Sequence, residues 1–251
     1  MKNKFTILGC GSSLGSPWIN SFWGNCDKVN KKNQRSRCCA HIRYKNLSIL
    51  IDTSPDIKRQ LISNNIKNVD SILYTHEHAD QTAGIFEFRP IYFMNKKKIP
   101  IYCNLTTQKK LKSAYPWLFK SSALYPKIMF FKNSKNNIFI EKNNIKFKIK
   151  AFNVVHGKVK TRGYLFNKIA YISDCNGIPM KSLRMLKNLN YLIIDCFRER
   201  KHVTHFNYDE ALEIIKILKP KKSILTNLHV DFDYKKLKKK LPEIGRAVQQ
   251  E

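Results

Sequence analysis

The stretch Thr75-His76-Glu77-His78-Ala79-Asp80 follows a short apolar run, residues 71–74, that has the length of a buried β-strand. Loops at strand ends, held by a rigid sheet, are where proteins usually present their chemistry. Two histidines at positions i and i+2 of such a turn can direct imidazole nitrogens at one ion, and Asp80 lies just beyond them. This density of ligand-type side chains predicts a metal site.

The same arrangement recurs along the chain, because further polar residues of ligand type follow other apolar runs of strand length. These runs and the residues after them are 48–51 with Asp52, 149–155 with His156, 169–173 with Asp174, and 223–228 with His229. One such residue carries little weight, but their shared placement predicts a site assembled from several strand ends.

The strand-length runs are interspersed with helical patterns. The runs are 5–8, 48–51, 71–74, 99–103, 128–131, 145–152, 169–172, 191–194 and 223–225. A helix is predicted over 55–64 behind Ser54, and another over 208–218 with Asn207 as its cap and Pro220 past its end. Strands without clean alternation, mixed with amphipathic helices, predict an α/β sandwich of sheets covered by helices. No repeat or linker marks a boundary, so we expect a single domain over residues 1–251.

Composition limits the function classes. The 251 residues carry a formal charge of +29, which favours an anionic substrate, although the lysines are scattered and only 96–98 and 235–240 form local patches. A nucleic-acid partner therefore stays open but is not favoured. No apolar run is long enough to cross a bilayer. The seven cysteines follow no regular spacing, and the chain shows no export signal, which predicts reduced thiols and a cytoplasmic protein.

At this point the sequence resembles a known family. His76-Glu77-His78-Ala79-Asp80 is similar to the His-x-His-x-Asp-His signature of the metallo-β-lactamase superfamily. Other marks follow in order: Leu8-Gly9-Cys10-Gly11-Ser12-Ser13, Leu50-Ile51-Asp52-Thr53, Asn153-Val154-Val155-His156, Tyr171-Ile172-Ser173-Asp174, Thr204-His205-Phe206 and Leu225-Thr226-Asn227-Leu228-His229. The resemblance implies an αββα sandwich of two mixed β-sheets flanked by helices.

Within that superfamily, the chain most resembles the PhnP-like phosphoribosyl cyclic phosphate phosphodiesterases. The residues that carry this resemblance are Gly15-Ser16-Pro17, Trp23-Gly24-Asn25-Cys26-Asp27 and Arg35-Ser36-Arg37-Cys38, which match the insertion between the first two strands of that branch. Some members hold a structural zinc ion on clustered cysteines there. The spacing of Cys26, Cys38 and Cys39 does not fit such a site, and we predict none.

The resemblance also implies a role for each candidate residue. His76, His78 and His156 would hold a first divalent metal, zinc or manganese. Asp174 would bridge to a second metal that Asp80 and His229 complete. Asp52 would orient a ligand from outside the coordination sphere. Asp80 and His205 would be catalytic, with His205 giving a proton or hydrogen bond to the leaving oxygen.

Three features depart from the family pattern. Gln81 stands where the motif normally ends in a ligating histidine, so it is a doubtful ligand, and we expect a weaker or manganese-preferring second site. Asn227 occupies the usual place of the late histidine. We expect His229 to reach the ion instead, since positions i and i+2 of a strand face the same way. After residue 244 we expect an irregular tail in place of a closing strand.

The implied function is metal-dependent hydrolysis of a small cyclic phosphate or related phosphodiester by a metal-activated hydroxide. One alternative is an RNA-processing nuclease resembling the tRNA 3′-end endonucleases, although no long basic arm is evident. Another is a non-catalytic metal-binding relative. Nothing favours a neutral acyl substrate such as a β-lactam or thioester. A homodimer is compatible with the resemblance.

Overall fold

A computed structural model describes residues 3–123, 125–133, 135–241 and 245–247. The chain forms two compact units, one of Met1–Leu8 and Cys39–Lys148 and the other of Gly9–Cys38 and Ile149–Glu251. Each unit has its own hydrophobic core. The sequence predicted a single domain over residues 1–251, and that expectation stays a prediction.

The first unit contains a six-stranded mixed sheet in the sequential order β1-β2-β3-β4-β5-β6. The strands are β1 (Lys4–Gly9), β2 (Cys39–Tyr44), β3 (Leu47–Ile51), β4 (Ser71–Leu73), β5 (Ile99–Tyr102) and β6 (Met129–Phe131). β2 and β3 pair antiparallel, with Ala40 opposite Ile51, and β3 through β6 run parallel. β3 and β4 are almost wholly buried, as expected of central parallel strands.

Short helices connect these strands. They are α1 (Ile57–Ser63), α2 (Ala79–Thr82), α3 (Arg89–Asn95), α4 (Leu105–Ala114) and α5 (Pro116–Phe119). Asn104 caps α4 by accepting a hydrogen bond from the Thr107 amide. The predicted helix over 55–64 begins two residues later than expected, because Ser54 accepts the Asp56 amide in a turn that precedes α1.

The second sheet has the order β13-β12-β11-β10-β9-β8-β7. Its strands are β7 (Asn137–Lys142), β8 (Ile145–His156), β9 (Val159–Phe166), β10 (Ile169–Ile172), β11 (Tyr191–Asp195), β12 (Lys222–Thr226) and β13 (Gly245–Ala247). β8, β9 and β10 pair antiparallel, and β10 through β13 run parallel. The carboxyl ends of β10, β11 and β12 therefore lie at one edge, which positions the loops that follow them.

The α-helices of the second unit, among the described residues, are α6 (Met180–Leu183), α7 (Tyr208–Leu218) and α8 (Tyr234–Lys240). α7 has the bounds that its sequence predicts. The Asn207 side chain accepts the Glu210 amide while the Glu210 carboxylate accepts the Asn207 amide, a capping box of the kind that stabilises a helix by about 1 kcal/mol.

The sequence indicated nine of these strands to within a few residues and missed β2, β7, β9 and β13. The expectation of an irregular tail is wrong for residues 245–247, since β13 pairs with β12, and residues 248–251 lie outside the described part of the chain. All seven cysteines carry free thiols. Within the described ranges, every helix is too short or too polar to cross a bilayer.

Candidate metal centre

The turn after β4 places His76 and His78 together in the first unit. His76 is fully buried and His78 is exposed, and His76 Nε2 lies 3.0 Å from His78 Nδ1. The two rings meet edge to face with centroids 4.5 Å apart. Two imidazole nitrogens at this distance can share one proton or ligate one cation, because ligands on a zinc ion at about 2.1 Å stand roughly 3 to 4 Å apart.

Asp52 fixes this turn from beneath it. Its carboxylate is fully buried and accepts the Thr75 amide at 2.8 Å and the Thr75 hydroxyl at 3.0 Å. Because that hydroxyl donates to Asp52, it is an acceptor towards His76 Nδ1, which lies 3.0 Å away. His76 then carries its proton on Nδ1 and presents the Nε2 lone pair outward. Asp52 thus orients His76 through Thr75.

Asp80 and Gln81 lie in the short helix α2 directly after these histidines. Gln81 is buried, and its Nε2 donates to Asp80 Oδ2 at 3.3 Å, while its backbone oxygen accepts the Thr53 amide at 2.8 Å. The Gln81 side-chain amide is therefore directed at the Asp80 carboxylate. Glu77, between the two histidines, accepts a hydrogen bond from Thr107 at 3.0 Å and so ties the turn to α4.

In the second unit the structure brings together His156, the last residue of β8, with Asp174 and His205, which lie in the loops after β10 and β11. One ligand-type atom from each lies within 4.8 Å of the other two. His156 ends β8 and is buried, with Nδ1 2.7 Å from the backbone oxygen of Thr204, so Nδ1 is the protonated nitrogen and Nε2 is left as an acceptor. Asp174 follows β10 and is buried as well.

Sequence reasoning missed Asp195, which ends β11. Its fully buried carboxylate accepts His205 Nδ1 at 2.7 Å, the Cys175 amide at 2.8 Å and Asn227 Nδ2 at 3.1 Å. Since an ionised carboxylate only accepts, His205 carries its proton on Nδ1. Burial raises the pKa of Asp195, and the His205 contact opposes that shift. The rule that found Asp52 and Asp174 applies here too, because Asp195 directly follows the apolar run 191–194.

Asn227 lies beside Asp174 and Asp195, the place that we expected for His229. β12 ends at Thr226, and Asn227 has a φ of +62°, so the assumption of an extended strand through His229 is wrong. Asn227 Nδ2 donates to Asp195 and lies 3.4 Å from Asp174 Oδ1. His229 Nδ1 instead lies 3.2 Å from the Asp231 carboxylate. Of the described residues, those grouped with Asp174 are His156 and His205, so a ligand role for His229 stays a prediction.

The donor chemistry of both clusters fits a divalent metal. Imidazole nitrogens held by hydrogen bonds at the opposite ring nitrogen, together with a buried carboxylate, are the ligands that zinc and related ions take in proteins. Asp174 is a buried carboxylate within its cluster, and burial penalises a carboxylate's charge unless cations or hydrogen bonds compensate it. Thr75 holds Nδ1 of His76 and Thr204 holds Nδ1 of His156, so each ring has its other nitrogen available as a ligand atom. Asp174 supplies the negative charge.

Comparisons with known proteins place this site in a family. The β-lactamase superfamily domain matches residues 48–227, which is more than half of the chain. The chain therefore belongs to the metallo-β-lactamase superfamily of metal-dependent hydrolases, and the predicted fold class of two mixed sheets flanked by helices is confirmed.

A narrower assignment follows from one solved structure. A diphosphatase from the PhnP family is 30% identical to this chain, with a TM-score of 0.87, over 99% of this chain and 95% of that one. The chain thus belongs with the PhnP family, as its insertion motifs predicted. Human tRNase Z, short form, shares the fold at 17% identity and a TM-score of 0.65, covering 91% of this chain and 93% of that one.

A curated relative carries a different name. An octanoyltransferase of Porphyromonas gingivalis is 25% identical over 224 residues, which are 88% of this chain. The chain spans 45% of the length of that protein, less than half. The match therefore does not assign octanoyltransferase activity to this chain.

Proposed function

We propose that this chain is a metal-dependent phosphodiesterase that hydrolyses a small cyclic phosphate or related phosphodiester. The observation that carries the proposal is the grouping of His156, at the end of β8, with Asp174 and His205, in the loops after β10 and β11, and the hydrogen bond of His205 to Asp195. The name of the 30% identical relative, a diphosphatase, and the charge of +29 both favour a phosphate-containing substrate.

A bound divalent cation would supply an activated water and would neutralise charge on the phosphate. The chain's own residues contribute position and proton transfer. His156 and Asp174 would hold the cation in this unit, as His76 and His78 would in the other. The sharing of ions among His76, His78, His156, Asp174 and Asp80 stays a prediction from the family resemblance, as does the choice between zinc and manganese.

His205 is the residue best placed to protonate a leaving oxygen. Asp195 Oδ2 lies 2.7 Å from His205 Nδ1, which fixes the tautomer, so that Nε2 is the nitrogen that would act on the substrate. The pair resembles the carboxylate–histidine arrangement by which enzymes orient an imidazole and stabilise its protonated form. Asp80 is the other predicted catalytic residue, and its carboxylate accepts a hydrogen bond from Gln81. Its catalytic role stays a prediction from the family resemblance.

The test is a panel of substrates supplied to protein loaded with zinc or manganese. The panel contains 2′,3′-cyclic AMP, bis(p-nitrophenyl) phosphate, a precursor tRNA and an octanoyl thioester. We expect turnover of the first two, and its loss in Asp174→Asn but not in Asp209→Asn, an exposed aspartate on α7. Cleavage of the precursor tRNA alone would support the nuclease alternative. No turnover of any substrate would support the non-catalytic one and contradict the proposal.

The proposal includes a cytoplasmic location. An RNA partner for the basic surface and a homodimeric assembly are compatible with it.

A further inference from the structure

A row of aromatic rings leads away from the candidate metal ligands in the second unit. Centroid distances along it are 4.6 Å for His156–His205, 4.9 Å for His205–Phe197, 5.0 Å for Phe197–His229, 5.6 Å for His229–Trp18 and 4.8 Å for Trp18–Phe22. Each distance is that of directly contacting rings. The row therefore connects the ligand group to a loop near the start of the chain.

Exposure rises along this row. His156 is buried, Phe197, His229 and Trp18 are partly exposed, and Phe22 is 46% exposed at the far end. None of the last four rings belongs to the hydrophobic core cluster of the second unit. A single exposed ring on a protein surface needs no explanation, but a contiguous run of rings that begins at a candidate catalytic histidine is a surface suited to a planar group.

The loop that carries Trp18 and Phe22 is held firmly. Gly24 has a φ of +54°, and a Cβ there would meet the backbone oxygen of Val230 at 2.8 Å. The Asn25 amide and the Cys26 thiol both donate to that same oxygen, at 3.0 and 3.2 Å. The buried Arg35 guanidinium also donates to the backbone oxygen of His229 at 3.2 Å. These contacts anchor the chain directly after Phe22, at Gly24–Cys26 and at Arg35, which limits the backbone entropy lost when a ligand binds.

Cationic side chains flank the row. The Arg198 guanidinium lies 5.7 Å from the Phe197 ring centroid, and Arg200 nearby is exposed. Aromatic faces next to arginine are the combination by which proteins hold a nucleotide, since the rings stack with the base while the cations attract the phosphate. The loop after β11, which carries Phe197, therefore supplies cations beside the row of rings.

We infer that Trp18 and Phe22 form a stacking surface for the nucleobase of a substrate whose phosphodiester is cleaved beside His205. The inference rests on the proposed function and narrows its substrate class to phosphodiesters that carry a base. It makes Trp18 and Phe22 specificity-determining residues, with no part in the chemical step.

The test compares two substrates with the same reacting group. One is 2′,3′-cyclic AMP, and the other is the 2′,3′-cyclic phosphate of 1-O-methylribose, which lacks the base. We expect Trp18→Leu and Phe22→Leu to raise KM for the first about tenfold, with kcat and the KM for the second unchanged. Trp18→Phe, which keeps a ring, should restore most of the lost affinity. The matched control is Trp117→Leu, a partly exposed tryptophan of the first unit, which should change neither substrate.

The outcomes separate the two claims. If wild-type protein hydrolyses both substrates equally well and the leucine variants change neither KM, the stacking surface is wrong while the proposed function stands. If neither substrate is hydrolysed, the proposed function fails, and calorimetric titration with AMP then decides the surface on its own. Binding that weakens about tenfold in Trp18→Leu would support it, and equal or undetectable binding would overturn it.

Discussion

Asp195 and His205 form a buried carboxylate–imidazole pair, with Asp195 Oδ2 2.7 Å from His205 Nδ1. The carboxylate is completely enclosed and also accepts the Cys175 amide and the Asn227 side chain. These three donors leave the His205 ring one orientation and one tautomer. The pair therefore fixes the His205 ring, with Nδ1 also 4.0 Å from Asp174 Oδ1.

Replacing Asp195 by Asn should lower kcat/KM by about 10- to 100-fold, the usual effect of losing a group that orients a histidine. An amide cannot accept from all three donors, because its NH₂ would face one of them. The measurement is steady-state turnover of 2′,3′-cyclic AMP beside thermal unfolding, with Asp209→Asn as the control. Unchanged kcat/KM in a folded Asp195→Asn protein would remove the pair from the mechanism.

His205→Ala should slow turnover by about 10²- to 10⁴-fold while the protein keeps its bound metal. His156→Ala should lose metal and turnover together, because His156 is expected to be a ligand. Elemental analysis of both variants after gel filtration distinguishes these roles. Should His205→Ala lose as much metal as His156→Ala, His205 would be a ligand, a role that its place beside Asp174 also allows.

Gln81→His should strengthen zinc binding at the weaker site. The present amide oxygen is a poor zinc ligand, and the Gln81 Nε2 group is directed at Asp80. Zinc titration of wild-type protein should accordingly show one tight and one weaker event, or a second site that prefers manganese. Two equally tight zinc sites in the wild type would show that Gln81 does not limit the second site.

His41 should make folding stability depend on pH. Burial, helped by Arg43 and Lys4 and opposed by Asp70, lowers the pKa of His41 from 6.5 to about 4. Between pH 6.5 and 4 the unfolded chain therefore binds a proton that the folded chain does not bind. The stabilising contribution of neutral His41 is full above pH 6.5 and is lost as the pH falls towards 4, by at most about 3 kcal/mol. Denaturant unfolding of His41→Gln should show a flatter profile in this window. Parallel profiles for the two proteins would contradict the assignment.

The parts of the fold that local sequence determines were predictable. α7 carries its own start and stop signals in Asn207, Glu210 and Pro220, so its bounds follow from the sequence. β9 does not have such signals. Lys160 and Arg162 interrupt its apolar pattern, and Gly163 is required only because the Phe152 ring of β8 lies against it. That contact is visible only once the two strands are paired.

The candidate site also contains residues that the sequence could place and one that it could not. Asp52, His156 and Asp174 do lie at or just after strand ends, as their apolar runs predicted, and the same pattern applies to Asp195 at the end of β11. The role of Asn227 could not be predicted from the sequence. It depends on a positive φ that places its side-chain amide next to Asp174 and Asp195. Sequence spacing alone favoured His229 for that place.

The central claim is that these imidazoles and carboxylates bind a divalent cation that hydrolysis requires. The most direct measurement is a titration of chelator-treated wild-type protein with zinc and with manganese, in which metal content and turnover of 2′,3′-cyclic AMP are determined on the same samples. The account predicts no turnover at the start and a rise in proportion to bound metal. Full turnover by metal-free protein, or folded protein that takes up neither ion, would contradict it.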